Sequence, residues 1–149
     1  ESNIAIGQNA GKDDLIRSGN QHSALDRKTI LVVEDISSNY LLISAMLSKH
    51  YNLLHAVNGE QAVAMVKEYK IDLLLMDMKM PVMDGLTATA EIRKFDTNIP
   101  IVALTAHAFE SDKVAALKSG CNDYLVKPVD KARLMSVLRK YCHPSTLVL

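Results

Sequence analysis

The stretch Leu73-Leu74-Leu75-Met76-Asp77-Met78-Lys79-Met80-Pro81-Val82-Met83-Asp84-Gly85 decides how the rest of the chain is read. Four apolar residues run without alternation into one carboxylate, and Pro81 and Asp84-Gly85 follow as turn signals. Such a run suits a strand buried on both faces, as in a parallel sheet under helices. Asp77 then falls at the strand's carboxyl end, where open α/β sheets place ligands and chemistry. The plainer alternative is an aspartate that only closes a loop, as many do after strands. The stretch alone leaves both open.

The same pattern recurs on either side. Upstream, Thr29-Ile30-Leu31-Val32-Val33 is a short β-branched run that ends in Glu34-Asp35. Two adjacent acids against a buried strand are costly unless solvated, paired or holding a cation. Ser37, Ser38 and Asn39 are helix-start residues, and Tyr40, Ile43 and Leu47 then have the one-face spacing of a helix reaching residue 48. Leu53-Leu54 and Ala56-Val57 predict a second strand closed by Asn58-Gly59, followed by a helix over 60–69 with Ala62, Val66 and Tyr69 inward. The central strand is expected over 71–76.

Downstream, residues 85–94 predict a helix with Leu86, Thr89 and Ile92 on one side. A fourth strand over 99–104 leads to Thr105, its proline tolerated at the strand's start. Helix signals over 108–119 stop at Gly120. Asp123-Tyr124-Leu125-Val126 is a fifth strand leading to Lys127-Pro128. Asp130 then opens a last helix with Leu134, Val137, Leu138 and Tyr141 inward, and Pro144 ends it. Strands and helices in strict alternation predict a parallel sheet covered on both faces, with short connections throughout.

Composition narrows the function classes. The 149 residues carry 17 Lys plus Arg against 17 Asp plus Glu, so no global field draws the chain to nucleic acid or to an anionic membrane. Cys121 and Cys142 lack a C-x-x-C spacing and read as ordinary reduced thiols. No apolar run approaches bilayer length and no signal peptide precedes the first strand, so a cytoplasmic setting is expected. Residues 1–27 are polar and aperiodic, which predicts a linker or tail; the folded unit is expected over 28–143, with a short tail over 144–149. The fragment Gly7-Gln8-Asn9-Ala10-Gly11-Lys12-Asp13 has a faint likeness to a phosphate-binding loop. It is one residue short, lacks the Ser or Thr after the lysine and follows no strand, so it is rejected. The start at Glu1 rather than methionine, with the polar leader and short tail, predicts a piece from the C-terminal end of a longer protein.

The chemistry gathers at the strand ends: Glu34-Asp35, Asp77, Thr105 and Lys127. In a doubly wound sheet of order 2-1-3-4-5, strands one and three are neighbours where the winding reverses. Asp35 then lies beside Asp77, with Glu34 near. Three carboxylates that close repel one another and call for a proton or a hard divalent cation; oxygen ligands favour Mg2+, with Mn2+ as the alternative. Acids with a metal, a hydroxyl and a lysine are what holding and transferring a phosphoryl group requires.

Taken together, Glu34-Asp35, the 77–85 stretch, Leu104-Thr105-Ala106 and Asp123-Tyr124-Leu125-Val126-Lys127-Pro128 resemble the receiver domain of two-component response regulators, in order and at family spacing. The resemblance implies an α/β, flavodoxin-like (βα)5 sandwich of three layers. It implies that Asp77 is the phosphoacceptor, and that Asp35, Asp77 and the Lys79 main-chain carbonyl bind Mg2+ with Glu34 completing the pocket. Thr105 would hydrogen-bond the acyl phosphate, Lys127 would pair with a phosphoryl oxygen, and the bond to Pro128 would be cis. Tyr124 matches the aromatic switch position that moves with Thr105. Lys79 and His107 flank the family's route for attacking water and would tune the lifetime of the phosphorylated form; the plainer alternative is two solvated loop residues. His22, His50, His55 and His143 have no supporting neighbours in sequence and are expected at the surface. Met76, Met78, Met80 and Met83 are expected to serve packing rather than a soft metal site.

The resemblance also implies a phosphohistidine donor as partner, either a histidine kinase dimerisation domain or a histidine phosphotransfer domain. The Pro81–Gly85 and Leu104–Ala108 wording resembles receivers attached to hybrid sensor histidine kinases, whose kinase activity and possible membrane anchor would lie outside this chain. A stand-alone single-domain regulator is the alternative. A homodimer through the face of the fourth helix, fifth strand and fifth helix is a further expectation. A pseudo-receiver that only binds proteins would usually lose an acid or the lysine, and neither is lost here. A phosphatase using an aspartyl phosphate would want an acid two residues after the nucleophile, where Lys79 stands.

Overall fold

A computed structural model describes residues 27–143. The elements alternate as β1 (Thr29–Val33), α1 (Ser37–Leu47), β2 (Asn52–Ala56), α2 (Gly59–Glu68), β3 (Leu73–Asp77), α3 (Gly85–Arg93), β4 (Ile101–Thr105), α4 (Glu110–Ser119), β5 (Asp123–Val126) and α5 (Lys131–Cys142). The strands form one parallel sheet in the order β2-β1-β3-β4-β5, the doubly wound arrangement expected. Residues 1–26 and 144–149, which include Gly7 to Asp13, His22 and Pro144, lie outside the described residues.

The sheet separates two cores. Leu73 and Leu75 point to one face with Ile30, Val32, Val102 and Leu104, where Ile43 and Leu47 of α1 and Leu134 and Leu138 of α5 cover them. Leu74 and Met76 point to the other with Leu31, Val33, Ile101 and Ala103, under Ala62 of α2, Ala88 and Ile92 of α3 and Ala116 of α4. Every residue of β3 and β4 is buried, which is why their sequences run apolar without alternation. The edge strand β2 buries only Ala56 fully, and its sequence is correspondingly less apolar.

Several boundaries differ from expectation. β2, β3 and β4 each lie one or two residues from the predicted spans, and Val57, expected in β2, is 41% exposed beyond its end. Asn58 does not merely close that strand. Its side chain accepts from Gln61 N at 2.8 Å and caps α2, while Gln61 Oε1 accepts from Val57 N at 3.0 Å. Tyr69 is not on the inner face of α2; it is the residue after the helix and is 46% exposed. α1 starts at Ser37, but its cap is Ile36, whose side chain makes no capping bond. α4 begins at Glu110, later than expected, and Gly120 ends it in the left-handed conformation at φ 119° as the sequence indicates.

The loop between β3 and α3 is held tightly against the strand ends. Val82 has φ 69° and Met83 N donates to Pro81 O at 2.8 Å, a γ-turn of the rarer, strained hand. Asp84 caps α3 by accepting from Thr87 N at 2.9 Å. A Cβ on Gly85 would collide with the Asp77 carbonyl oxygen and stand 2.6 Å from Met78 Cε. A Cβ on Gly59 would stand 2.5 Å from Met83 O. Both glycines are there for close approach. Gly85→Ala is expected to push the Asp77 main chain out of place and to lower stability by about 1–3 kcal/mol, read from the urea midpoint.

The two thiols answer pH in a defined direction. Burial pushes the Cys142 thiol up to about 11, with the Asp72 charge adding to the rise and Lys28 opposing it. Burial likewise raises Cys121 and Tyr51. Because folding raises these values, the Cys142 contribution is complete below the ordinary thiol value of 9.0 and is lost as pH climbs through about 11. The urea midpoint is expected to fall across that window, and to fall less steeply in Cys142→Ala. An identical slope in the variant would count against this assignment.

Candidate functional site

Polar residues cluster where the strands end on the carboxyl side of the sheet. β1 runs into Glu34 and Asp35, β3 finishes on Asp77, β4 on Thr105, and β5 leads to Lys127. Because β1 and β3 are hydrogen-bonded neighbours, Glu34, Asp35 and Asp77 converge: each offers one carboxylate oxygen, and these atoms all lie within 4.8 Å of one another. Glu34 is fully buried and Asp77 is 4% exposed, while Asp35 is half-buried.

Lys127 crosses from β5 to meet them. Its Nζ lies 3.0 Å from Asp77 Oδ2 and 3.1 Å from Glu34 Oε2. The contact with Glu34 Oε2 compensates charge, but it lacks the direction of a hydrogen bond, so that buried oxygen has no hydrogen-bond donor. Burial pulls the Lys127 ammonium down; the hydrogen bond and charge of Asp77, then the charge of Glu34, outweigh it and hold its pKa above the usual lysine value. The main chain is tied as well: Lys127 N donates to Thr105 O at 2.8 Å, and the bond to Pro128 is cis, as expected. Glu34 Oε1 accepts from Ile36 N at 3.2 Å and Asp77 Oδ1 from Lys79 N at 3.1 Å.

Three carboxylates face one ammonium, so the cluster is short of positive charge. All the donors are hard oxygens, and Glu34 Oε2 is under-bonded. That donor set fits a hard divalent cation held by Glu34, Asp35 and Asp77.

The remaining candidates surround this cleft. Thr105 is 4% exposed, and its hydroxyl donates to His107 O at 2.9 Å. Tyr124 is half-buried, with Lys113 Nζ 4.9 Å above its ring centroid. Lys79 and His107 are exposed, and with Met78, Met80 and Thr105 they line a cavity of about 330 Å3 beside Asp77. Met76 and Met78 are buried and Met80 and Met83 pack against the same core, so the methionines serve packing as expected.

Two histidines were misread from sequence. His55 is not an unsupported surface histidine: it is half-buried, stacks on Tyr40 with ring centroids 3.8 Å apart, and places Nε2 2.8 Å from Glu34 O. The available signal was its place in β2 between Leu54 and Ala56, in register with the fully buried Val32. His143 also departs from expectation, being half-buried with its Nε2 3.5 Å from Tyr51 Oη. His50 is exposed as predicted.

Similarity to known proteins agrees with this geometry. The chain is 41% identical over 119 residues to hybrid signal transduction histidine kinase M of Dictyostelium discoideum, a match covering 74% of this chain and 5% of that protein. The chain spans 5% of that kinase's length and 26% of the length of a transcriptional regulatory protein of Escherichia coli to which it is 39% identical. Among solved structures, it resembles the receiver domain of a sensor histidine kinase of Pseudomonas aeruginosa, crystallised with a magnesium ion coordinated in the active-site cleft. That likeness has a TM-score of 0.73 at 40% identity, covering 77% of this chain and 97% of the other. It also resembles the receiver domain of a Saccharomyces cerevisiae response regulator, crystallised with the histidine phosphotransfer protein upstream of it. There the TM-score is 0.77 at 35% identity, covering 82% and 93%. The family profile described as the response regulator receiver domain matches residues 30–139, and the chain belongs to that family.

Proposed function

We propose that this receiver takes a phosphoryl group from a phosphohistidine onto Asp77 and changes conformation in response. The observation that carries the reading is the meeting of Glu34, Asp35 and Asp77 with Lys127 Nζ 3.0 Å from the Asp77 carboxylate. An Asp77 oxygen attacks phosphorus, the phosphorus–nitrogen bond breaks with its electron pair leaving on the imidazole, and an acyl phosphate forms. Glu34, Asp35, Asp77 and the Lys79 carbonyl would hold Mg2+, which would supply positive charge against the incoming phosphate; Mn2+ has the same donor preference. Lys127 pairs with a phosphoryl oxygen. Thr105 gives up its bond to the His107 carbonyl and donates to the acyl phosphate, and Tyr124 follows it inward. Lys79 and His107, at the mouth of the neighbouring cavity, set how readily water reaches the phosphorus.

The donor must present its histidine to Asp77. Ile36, next to Asp35, and Leu42, which lines a cavity with Glu34 and Lys127, are 52% and 48% exposed and offer apolar surface near the cleft. A small cavity bounded by Leu42, Ile43, Pro128 and Val129 adjoins Glu34 and Lys127. Such a surface suits the apolar face of a helical donor. The yeast relative crystallised with a histidine phosphotransfer protein supports that partner class. The balanced charge argues against nucleic acid as a direct partner. No helix among the described residues is long and apolar enough to cross a membrane, and we assign this part of the protein to the cytoplasm. For the parent we infer a hybrid sensor histidine kinase, with residues 28–143 as its receiver; the similarity to such a kinase of Dictyostelium supports it. Exposed Val114 and Leu117 on α4 support pairing of two copies across the α4-β5-α5 face.

Incubation with acetyl phosphate and Mg2+ is expected to add one phosphoryl group by intact mass, and neither Asp77→Asn nor the metal-free protein should take it up. A beryllium fluoride complex that forms on the unmodified protein but not on Asp77→Asn gives the same answer for a short-lived adduct. Absence of both would sink the reading. The charge shortage makes a second prediction. Without divalent cation, Asp35→Asn should stabilise the protein by about 1 kcal/mol through relieved repulsion. Lys127→Met should destabilise it by about 3 kcal/mol by stranding buried carboxylates. Added Mg2+ should raise the melting temperature of the unmodified protein and not that of Asp35→Asn.

A further inference from the structure

We propose that His55 is a positioning residue for the acid cleft, holding the peptide plane that joins Glu34 to Asp35. This inference rests on the reading of Glu34, Asp35 and Asp77 as a cation site. The carbonyl of Glu34 only accepts, so the 2.8 Å contact requires His55 Nε2 to carry the proton and donate it. That carbonyl is one end of the Glu34–Asp35 peptide unit, which is planar. Fixing its oxygen therefore fixes the Asp35 amide and the direction in which both acidic side chains leave the main chain.

The ladder of the sheet explains why a side chain is needed. Glu34 N donates to Ala56 O at 3.0 Å, continuing the pairing of β1 with β2 by one step. A further step would bring the Asn58 amide to Glu34 O, but there the chain leaves the sheet to cap α2. His55, reaching over from β2, supplies the missing donor. Its ring is itself held: the Tyr40 ring of α1 lies parallel to within 5°, with centroids 3.8 Å apart. α1 begins two residues after Asp35, so the stack ties both sides of the acid segment together.

Glu34 needs this support more than a surface acid would. Its side chain is fully buried, and Oε2 has a charge contact but no hydrogen bond. Repulsion among the three carboxylates favours rotation of the Glu34–Asp35 peptide away from Asp77. A donor on its carbonyl opposes that rotation before any cation arrives, so the cation finds its ligands already gathered. Loss of the donor spends binding free energy on re-forming the site, which appears as weaker Mg2+ binding.

The test uses the whole 149-residue chain, with Mg2+ binding read by titration calorimetry and stability by metal-free melting. His55→Val suits an edge strand and removes the donor; His55→Gln keeps an N–H that can reach the carbonyl. His55→Val is expected to raise the Mg2+ Kd by about ten-fold, the usual scale for losing a partner that orients a metal ligand. His55→Gln should recover most of that loss. In the metal-free protein, hydrogen exchange at the Ile36 amide, held by Glu34 Oε1, should quicken in His55→Val and not in His55→Gln. Should His55→Val not fold, Tyr40→Leu, which unseats the ring, must raise the Kd in its place. An unchanged Kd in a folded variant, or a lower melting temperature as the only effect, overturns the proposal while leaving the cation site intact. No Mg2+ binding by the unmodified protein overturns the cation site and this inference together.

Discussion

Gathering carboxylates at the ends of buried strands creates a charge that the rest of the fold must hold in place, and Lys127 is the group that does so. Its ammonium reaches Asp77 and Glu34 at 3.0 and 3.1 Å, among the described residues the one cation in contact with these two almost wholly buried acids. Such a pair is favourable only when its geometry is fixed, because desolvation otherwise outweighs attraction. The parallel ladder supplies that geometry. Beyond the last paired residues, Glu34 N still bonds Ala56 O, Met78 N bonds Leu104 O and Lys127 N bonds Thr105 O. Each strand end is thus pinned to its neighbour, and the side chains leave from fixed points.

The loop after β3 depends on the same constraint from the other side. It must pass over Asp77 closely enough to frame the cleft, which is why a side chain at Gly85 would strike the Asp77 carbonyl. The γ-turn at Val82 turns the chain in the fewest residues, at the cost of a β-branched residue with φ 69°. Gly59 N bonds Met83 O at 3.0 Å, so the start of α2 anchors the turn. Strain stored beside a charged cleft is tolerated because the surrounding bonds over-determine it.

Much of this was legible in the sequence because burial on two faces leaves an unmistakable pattern. β1, β3 and β4 show it, and the parallel topology then dictates that Glu34-Asp35 and Asp77 meet. Asp84, Asp130 and Gly120 also announce their helix ends, as local bonds within three residues do. What escaped is long-range or non-additive. No sequence window contains both His55 and the Glu34 carbonyl, twenty-one residues apart. The start of α1 was legible at Ser37 but its cap was not: the cap is Ile36, whose amide is taken by Glu34 Oε1, an acid read for chemistry. Tyr69 fitted the helical spacing of Ala62 and Val66, but α2 ends one residue too soon for it to turn inward.

The position of Thr105 carries the argument furthest under the proposed phosphoacceptor reading. Its hydroxyl is already satisfied by the His107 carbonyl at 2.9 Å, so joining a phosphoryl group exchanges one hydrogen bond for another. The gain comes only from charge, since a bond to a charged oxygen is about twice as strong as a neutral one. The exchange would release the loop carrying His107, whose ring stacks on Phe109 with centroids 5.0 Å apart at the start of α4. Tyr124, whose ring lies 4.9 Å from Lys113 Nζ, would follow in the proposed switch. A difference of about 1–3 kcal/mol is the usual scale on which such coupled states are biased. One hydroxyl changing partner is of the right size to switch this face without disturbing the sheet beneath it.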